Sequence, residues 1–280
     1  MRAVDLVALD IDGTVLTPDH RIAPSTVAAV AEARRRGVEI VLASSRGPVA
    51  LAPIQAELGL TDEWFIGYQG ALVGRRRGAD LDVLAEEPLD RRDARDVEDR
   101  ALALGLSVGR YIGPRWRVPR ITEAIRREAA ITGETPLLST AAERDADGRP
   151  HKLLVIAGDV DRIAALDRLA RELPSGLSAT FSHRTYLEIT AAGVDKATGL
   201  RPLLEHLAVP RGRSAAVGDG LNDLALFAAV SRPIAMGHAP SDVIGAAGWV
   251  TRTNTDDGVA HALAHLGVAP PPDAFQPMVF

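Results

Sequence analysis

Apolar residues along this chain gather in short, mostly apolar runs that alternate with longer stretches of helical period. Val4–Leu9 and Val38–Ala43 are such runs and predict buried strands. Pro24–Arg36 predicts a helix, with Pro24 in its first turn and Gly37 just past its end. Val49–Leu58 predicts a second helix, closed by Gly59, and Trp64–Ile66 a short strand. Ala71–Val73 and Val83–Ala85 predict a hairpin around the polar tip Gly74-Arg75-Arg76-Arg77-Gly78. This order of strand and helix implies a parallel sheet.

The pattern changes between about Glu87 and Ile189. Helices are predicted over Asp90–Leu104, Ile121–Ala130 and Val160–Leu173, and strands over Leu106–Arg110, His151–Ala157, Leu177–Phe181 and Tyr186–Ile189. Ser139–Pro150, rich in Asp, Arg, Gly and Ala, predicts an exposed loop. The region reads as an inserted α+β domain. Alternation then resumes with a helix over Lys196–Leu207, a strand over Ser214–Val217, a helix over Leu221–Ala229 and a strand over Pro233–Ala235. Helices over Ala239–Ala247 and Gly258–Leu266 follow. The tail from Pro270 onward is expected to be loosely held. The expected organisation is a core domain in two parts, residues 1–86 and 191–280, with residues 87–190 inserted between them.

Composition narrows the picture by exclusion. The chain has 280 residues, 46% hydrophobic and 25% charged, ordinary for a globular protein. A net charge of −5 gives no reason to expect nucleic acid or an anionic membrane as partner. No segment approaches the roughly 20 apolar residues of a membrane span. Asp5 and Asp10 interrupt what would otherwise resemble a signal sequence. There is no cysteine, hence no disulfide, thiolate nucleophile or cysteine-held metal, and a cytoplasmic location is expected. Of 32 basic residues only Lys152 and Lys196 are lysine. Lysine is a compact point charge where arginine is a planar fork, so each lysine marks a place to inspect.

Candidate chemistry lies where the predicted strands end. In an open parallel sheet, ligands bind beyond the carboxyl ends of the strands. Asp10 and Asp12 follow the first strand, and Gly13-Thr14 breaks it. Two carboxylates this close repel unless a cation lies between them or one is protonated. Magnesium, which prefers oxygen ligands, suits such a pair. A carboxylate that attacks phosphorus to form an aspartyl-phosphate is a known covalent strategy. Ser44-Ser45-Arg46-Gly47 follows the second strand, with hydroxyls and amides near a helix start that suit a phosphate. Lys196 opens a helix after Gly193-Val194-Asp195, and Gly218-Asp219-Gly220-Leu221-Asn222-Asp223 adds two more carboxylates past another strand. Each cluster alone has an ordinary reading as a turn, a cap or a solvated helix start; the four in this order point to phosphoryl transfer.

On these motifs the chain resembles the haloacid dehalogenase superfamily of phosphohydrolases, in the Cof-like branch with an α+β cap between the second and third motifs. The resemblance implies a doubly wound, Rossmann-like α/β core and a cap that selects the leaving group. It also implies the roles of individual residues. Asp10 is the nucleophile; Asp12 is the general acid and then the base that activates water. Gly13, Ser44, Ser45, Arg46, Gln69, Gly70, Lys196 and Asn222 bind phosphate or substrate. Lys196 neutralises charge on the phosphoryl group and on Asp10. Asp10, Asp12 through its carbonyl, Asp219 and Asp223 form or support a Mg2+ site. The implied activity is a magnesium-dependent phosphatase for a small phosphorylated metabolite, a sugar phosphate, in a monomer or homodimer. Two rivals remain: a phosphomutase of the same fold and a non-catalytic sugar-phosphate binder.

The chain departs from the branch at three places. It has Gln69-Gly70-Ala71 for the usual Asn-Gly-Ala, Met236-Gly237-His238 for Met-Gly-Asn, and Ser44-Ser45-Arg46 for Thr-Gly-Arg. The first two bear on specificity, and the third keeps its hydroxyl. Arg110–Arg117, basic and aromatic, is a candidate for a second anion or a stacked ring, against a plain reading as a solvated loop around one packed tryptophan. Arg34-Arg35-Arg36 reads as a favourable helix end. His261 and His265 read as helix surface.

Overall fold

A computed structural model describes residues 4–78 and 80–272. The chain beyond Pro272, expected to be loosely held, lies outside these residues. In chain order the elements are β1 (Leu6–Leu9), α1 (Pro24–Arg35), β2 (Glu39–Ala43), α2 (Pro48–Glu57), β3 (Phe65–Gly67), β4 (Leu72–Arg77) and β5 (Asp80–Glu86). Next come α3 (Arg91–Ala103), β6 (Ser107–Ile112), β7 (Arg115–Val118), α4 (Glu123–Thr132), β8 (Leu137–Leu138), α5 (Ala141–Ala146), β9 (Lys152–Ile156), α6 (Ile163–Arg171), β10 (Leu177–His183) and β11 (Tyr186–Ala191). The last are α7 (Lys196–His206), β12 (Ser214–Gly218), α8 (Leu224–Ala229), β13 (Arg232–Ala235), α9 (Ser241–Ala246), β14 (Trp249–Val250) and α10 (Gly258–His265).

The chain divides into two compact units. The first comprises residues 1–45, 52–85 and 195–280, and the second residues 46–51 and 86–194. The first holds an eight-stranded sheet in the order β14-β13-β12-β1-β2-β3-β4-β5. From β14 to β3 all pairings are parallel, and β4 runs antiparallel to β3. β1 is central and wholly buried because every one of its residues is apolar and both its faces are covered. Leu6 and Ala8 join Val41, Ala43, Ile66 and Ala216 from neighbouring strands in a core closed by Leu200 and Leu203 of α7 and Leu226 and Phe227 of α8. α1 packs on β2 and on α10. This is the doubly wound parallel sheet expected from the alternating pattern.

The second unit is a six-stranded sheet in the order β10-β11-β9-β6-β7-β8, antiparallel except for β7 with β8. One face packs Val108, Leu153, Val155, Leu187 and Ile189 against Val97 and Ala101 of α3 and Leu166 and Leu169 of α6. The stretch 46–51, placed by the sequence pattern in the first domain, clusters here instead. The buried carboxylate of Glu134 accepts a hydrogen bond from the Ala50 backbone, which ties that stretch to this unit.

Three local expectations need correction. The tip Gly74–Arg77 is strand, with Arg75 and Arg77 both paired to Asp82. Within the supposed loop 139–150, Thr140 and Glu143 form a capping box that starts α5. The basic segment 110–117 is the hairpin β6–β7, and carboxylates already occupy its arginines: Glu98 bonds Arg110 at 2.7 Å, and Asp147 pairs with Arg117 at 3.1 Å. Trp116 is the packed tryptophan of the plainer reading, stacked on Tyr111 with 5.6 Å between centroids. Among the described residues no helix is long and apolar enough to cross a membrane.

Candidate active site

The site is built at the carboxyl ends of adjacent strands of the first unit. Asp10 follows β1, Ser44 follows β2 and Asp219 follows β12, and β1 lies between the other two. Parallel pairing puts these three ends on one edge of the sheet. Asp10 N–H donates to Val217 O at 3.0 Å, and Ser44 N–H to Ile66 O at 2.9 Å, so backbone ladders fix where both residues leave the sheet.

Lys196 is the first residue of α7. Asp195 caps that helix, its side chain accepting from Thr198 N–H at 2.8 Å. The cap fixes the direction in which the lysine leaves the helix. Its ammonium donates to Asp10 Oδ1 and, at 2.6 Å, to Asp223 Oδ1, with no exposure of the lysine to solvent. Asp223 Oδ2 accepts from the backbone N–H groups of Asp219 and Gly220 at 3.0 and 2.9 Å. Asp223 thus anchors the loop that carries Asp219. Thr14 Oγ1 donates to Asp219 Oδ1 at 2.8 Å and orients that carboxylate. The sequence reading missed Thr14; its hydroxyl immediately after Asp12-Gly13 was the available signal.

Glycine is required at two positions. Gly13 has φ of +87°, and a Cβ there would overlap the Asp219 carboxylate. Gly70 has φ of +107°, and a Cβ there would overlap the Asp195 carbonyl. Tyr68 and Gln69 precede it at φ of 51° and 60°, left-handed values that cost non-glycine residues energy. The turn brings Gln69 N–H to Ser44 O at 3.0 Å and Gln69 Oε1 to the Asn222 amide at 3.3 Å. Ser44, Gln69, Gly70, Lys196 and Asn222, scattered in sequence, are thereby tied through one turn. Arg46 falls in the second unit, where its charge acts on Glu128 and Glu134. Ser45 is half-buried, and Asp12 is exposed two residues from buried Asp10.

Ligand oxygens of Asp10, Asp219 and Asp223 all lie within 4.8 Å of one another. Burial pushes the Asp10 carboxyl well above the usual carboxylate range; Lys196 opposes this, and Asp223 and Asp219 add to it. Burial raises Asp219 as well, against the Thr14 hydrogen bond. Burial alone would depress Lys196, but Asp10 and Asp223 outweigh it and hold the ammonium charged. Three carboxylates thus crowd around a site where one ammonium meets only two of them, Asp10 and Asp223, and the excess negative charge is what a divalent ion offsets. Oxygen donors on a rigid loop suit Mg2+. The donor set fits that metal.

A buried carboxylate beside a fixed ammonium, with a second carboxylate exposed two residues on, sits at the strand ends of a doubly wound α/β protein. Residues 7–263 match the family model for haloacid dehalogenase-like hydrolases, and the chain belongs to that family. A putative phosphatase of Haemophilus influenzae is 28% identical over 258 residues, covering 90% of this chain and 94% of its own length. The crystal structure of a haloacid dehalogenase-like hydrolase from Bacteroides thetaiotaomicron superposes with a TM-score of 0.84 at 25% identity, over 94% of this chain and 99% of that one. A subclass IIB sugar phosphatase of the superfamily has the same fold, with a TM-score of 0.79 at 21% identity over 94% of this chain and 99% of its own. The protein is a phosphatase.

Proposed function

We propose that this phosphatase is magnesium-dependent and hydrolyses a small phosphorylated metabolite, a sugar phosphate, through a phospho-Asp10 intermediate. The observation that carries the reading is the Lys196 ammonium shared by Asp10 and Asp223, with Asp219 beside them. Phosphoryl transfer asks mainly for positioning and charge stabilisation. An Asp10 oxygen attacks phosphorus in line, forming the O–P bond as the bond to the leaving alkoxide breaks. Asp12 gives that alkoxide its proton. Asp12 then takes a proton from water, whose oxygen attacks phosphorus and returns Asp10 as a free carboxylate. Exposure of Asp12 supports this role, because its proton must exchange with solvent between the half-reactions. Lys196 offsets charge on Asp10 and the phosphoryl oxygens; Ser44, Gly13 and Asn222 bind the phosphoryl group. Asp10, the Asp12 carbonyl and Asp219 would hold Mg2+, with Asp223 as support. When bound there, Mg2+ would supply positive charge that offsets the negative charge on the transferring phosphoryl oxygens. The sugar phosphatase of like fold supports the substrate class.

The test is phosphate release from sugar phosphates, nucleotides and cofactor phosphates, with magnesium or with chelator. Wild type is expected to release phosphate only with magnesium. Asp10→Asn is expected to lose roughly a thousandfold or more in kcat, since the nucleophile is gone. Substantial release by purified Asp10→Asn would exclude the covalent mechanism, and an isomerised product without phosphate would point to a mutase.

A further inference from the structure

The loop between β14 and α10, residues 251–257, is tied at several points. Thr251 Oγ1 donates to Gly258 O at 2.7 Å; Gly258 N–H donates to Thr253 O and Gly237 N–H to Arg252 O, both at 3.0 Å. Ser25 of α1 donates to Asp257, which holds a left-handed φ of 59°. A non-glycine residue keeps such a φ only where its surroundings impose it. From this loop the Asn254 amide reaches the turn that carries Asp12 and donates to Leu16 O at 2.7 Å. Leu16 N–H donates to Ile11 O at 2.9 Å, and Thr14 N–H to the same oxygen at 3.2 Å. The turn is thus held on two sides, by Thr14 on Asp219 and by Leu16 on Asn254. Asp12, Gly13, Leu16, Thr17 and Asn254 line one cavity of about 550 Å³. Asp10 needs no such brace, because its backbone bond to Val217 and its contact with Lys196 fix it. Asp12 is exposed beyond the strand, so its position depends on the turn.

We propose that Asn254 is a positioning residue, whose bond to Leu16 holds the Asp12 carboxyl where the leaving oxygen takes its proton. The inference rests on the general-acid reading of Asp12 above. In that step an Asp10 oxygen bonds phosphorus, the bond from phosphorus to the leaving oxygen breaks, and the Asp12 proton passes to that oxygen. Without the Asn254 bond the attack by Asp10 stands, and only the proton transfer loses its geometry. A misplacement of about 1 Å costs on the order of a hundredfold in rate. The loss falls on leaving groups that must be protonated as they depart. A nitrophenolate departs as a stable anion, whereas a phenolate or an alkoxide is far more basic and needs the proton.

The experiment compares p-nitrophenyl phosphate with phenyl phosphate on the full chain with magnesium, for wild type, Asn254→Leu and Asp12→Asn. The quantity read is kcat/KM, which covers the steps through departure of the leaving group. Leucine is close to asparagine in size and has no donor; Asn254→Ala, which also lacks the donor, is measured beside it in case leucine prevents folding. In the Asn254 variants kcat/KM for phenyl phosphate should fall about tenfold to a hundredfold, and for p-nitrophenyl phosphate by less than about threefold. Equal falls for the two esters, or no fall, overturn the proposal. Asp12→Asn is the control. An unselective loss there would remove the general-acid reading and this inference with it; a selective loss there, without one in the Asn254 variants, would sink this inference alone. Amide exchange without substrate gives a second readout that does not depend on turnover. Exchange at Thr14 and Leu16 should quicken about tenfold or more in the Asn254 variants, with β1, β2 and β12 unchanged. Unaltered exchange at those two amides overturns the proposal even where neither ester is hydrolysed.

Discussion

At the scale of residues, charge and burial decide the chemistry. Both lysines of this arginine-rich chain are buried, Lys196 at 0% and Lys152 at 6% exposure. Lys196 is enclosed by carboxylates; Lys152 pairs with Glu188 at 3.4 Å and lies 5.0 Å from the Tyr111 ring. Gly13→Ala tests how closely the loop must approach Asp219. It combines a left-handed backbone with a Cβ in the carboxylate's place. It should cost on the order of 1–3 kcal/mol of stability and lower metal affinity at least about tenfold, read by thermal unfolding and calorimetry. His151 supplies a pH test in the second unit. Its Nδ1 accepts from Gly113 N–H, and its Nε2 bonds Glu86, each at 3.1 Å, so the ring is placed as the neutral tautomer. Burial lowers its pKa from 6.5, Glu86 opposes this and Arg149 adds to it. The unfolded chain therefore binds the proton more readily. This stability is present in full above the unfolded value near 6.5 and is lost as pH falls through and below it. Raised Glu128 and Glu134 act in the opposite sense, so the comparison is between proteins. His151→Asn keeps an acceptor but cannot charge. Its unfolding midpoint should fall less than wild type's between pH 7.5 and 5.5; equal falls would refute the assignment.

At the scale of elements, helix starts and strand ends place the site. Asp195 caps α7 one residue before Lys196, and its carbonyl leaves room only for glycine at position 70. Asp195→Ala should lose about 1 kcal/mol, and Asp195→Asn much less, by urea unfolding. Equal loss in both would mean that the charge, not the cap, matters. Strand ends were legible because Asp10, Ser44 and Asp219 each follow an apolar run. Turn geometry was not: nothing in Tyr68-Gln69 announces two consecutive left-handed residues, which are held there by Ser44 and Asn222. β7, β8 and β14 were missed because they are short and, in β7, interrupted by arginines whose charges are met by distant carboxylates.

At the scale of the whole molecule, two sheets with separate cores divide the work. Leu153 is fully buried in the core of the second unit. Leu153→Ala should cost roughly 2–5 kcal/mol there. Amide exchange should quicken in β6, β9 and α3 and stay unchanged in β1, β2 and β12; a uniform increase would show that the two cores open as one.

By itself the chain determined the order of strands and helices and the parallel core, and it marked Asp10, Asp12, Ser44, Lys196, Asp219 and Asp223 as candidates, because each of these rests on local period or local punctuation. The tertiary structure alone decided that Asp223 accepts from both Lys196 and its own loop, that Thr14 orients Asp219, and that residues 46–51 cluster with the second unit. It also decided that the arginines of β6 and β7 are neutralised by Glu98 and Asp147 rather than open to a ligand. These are contacts between residues far apart in sequence. Their energies depend on burial and distance, which no one-dimensional pattern records.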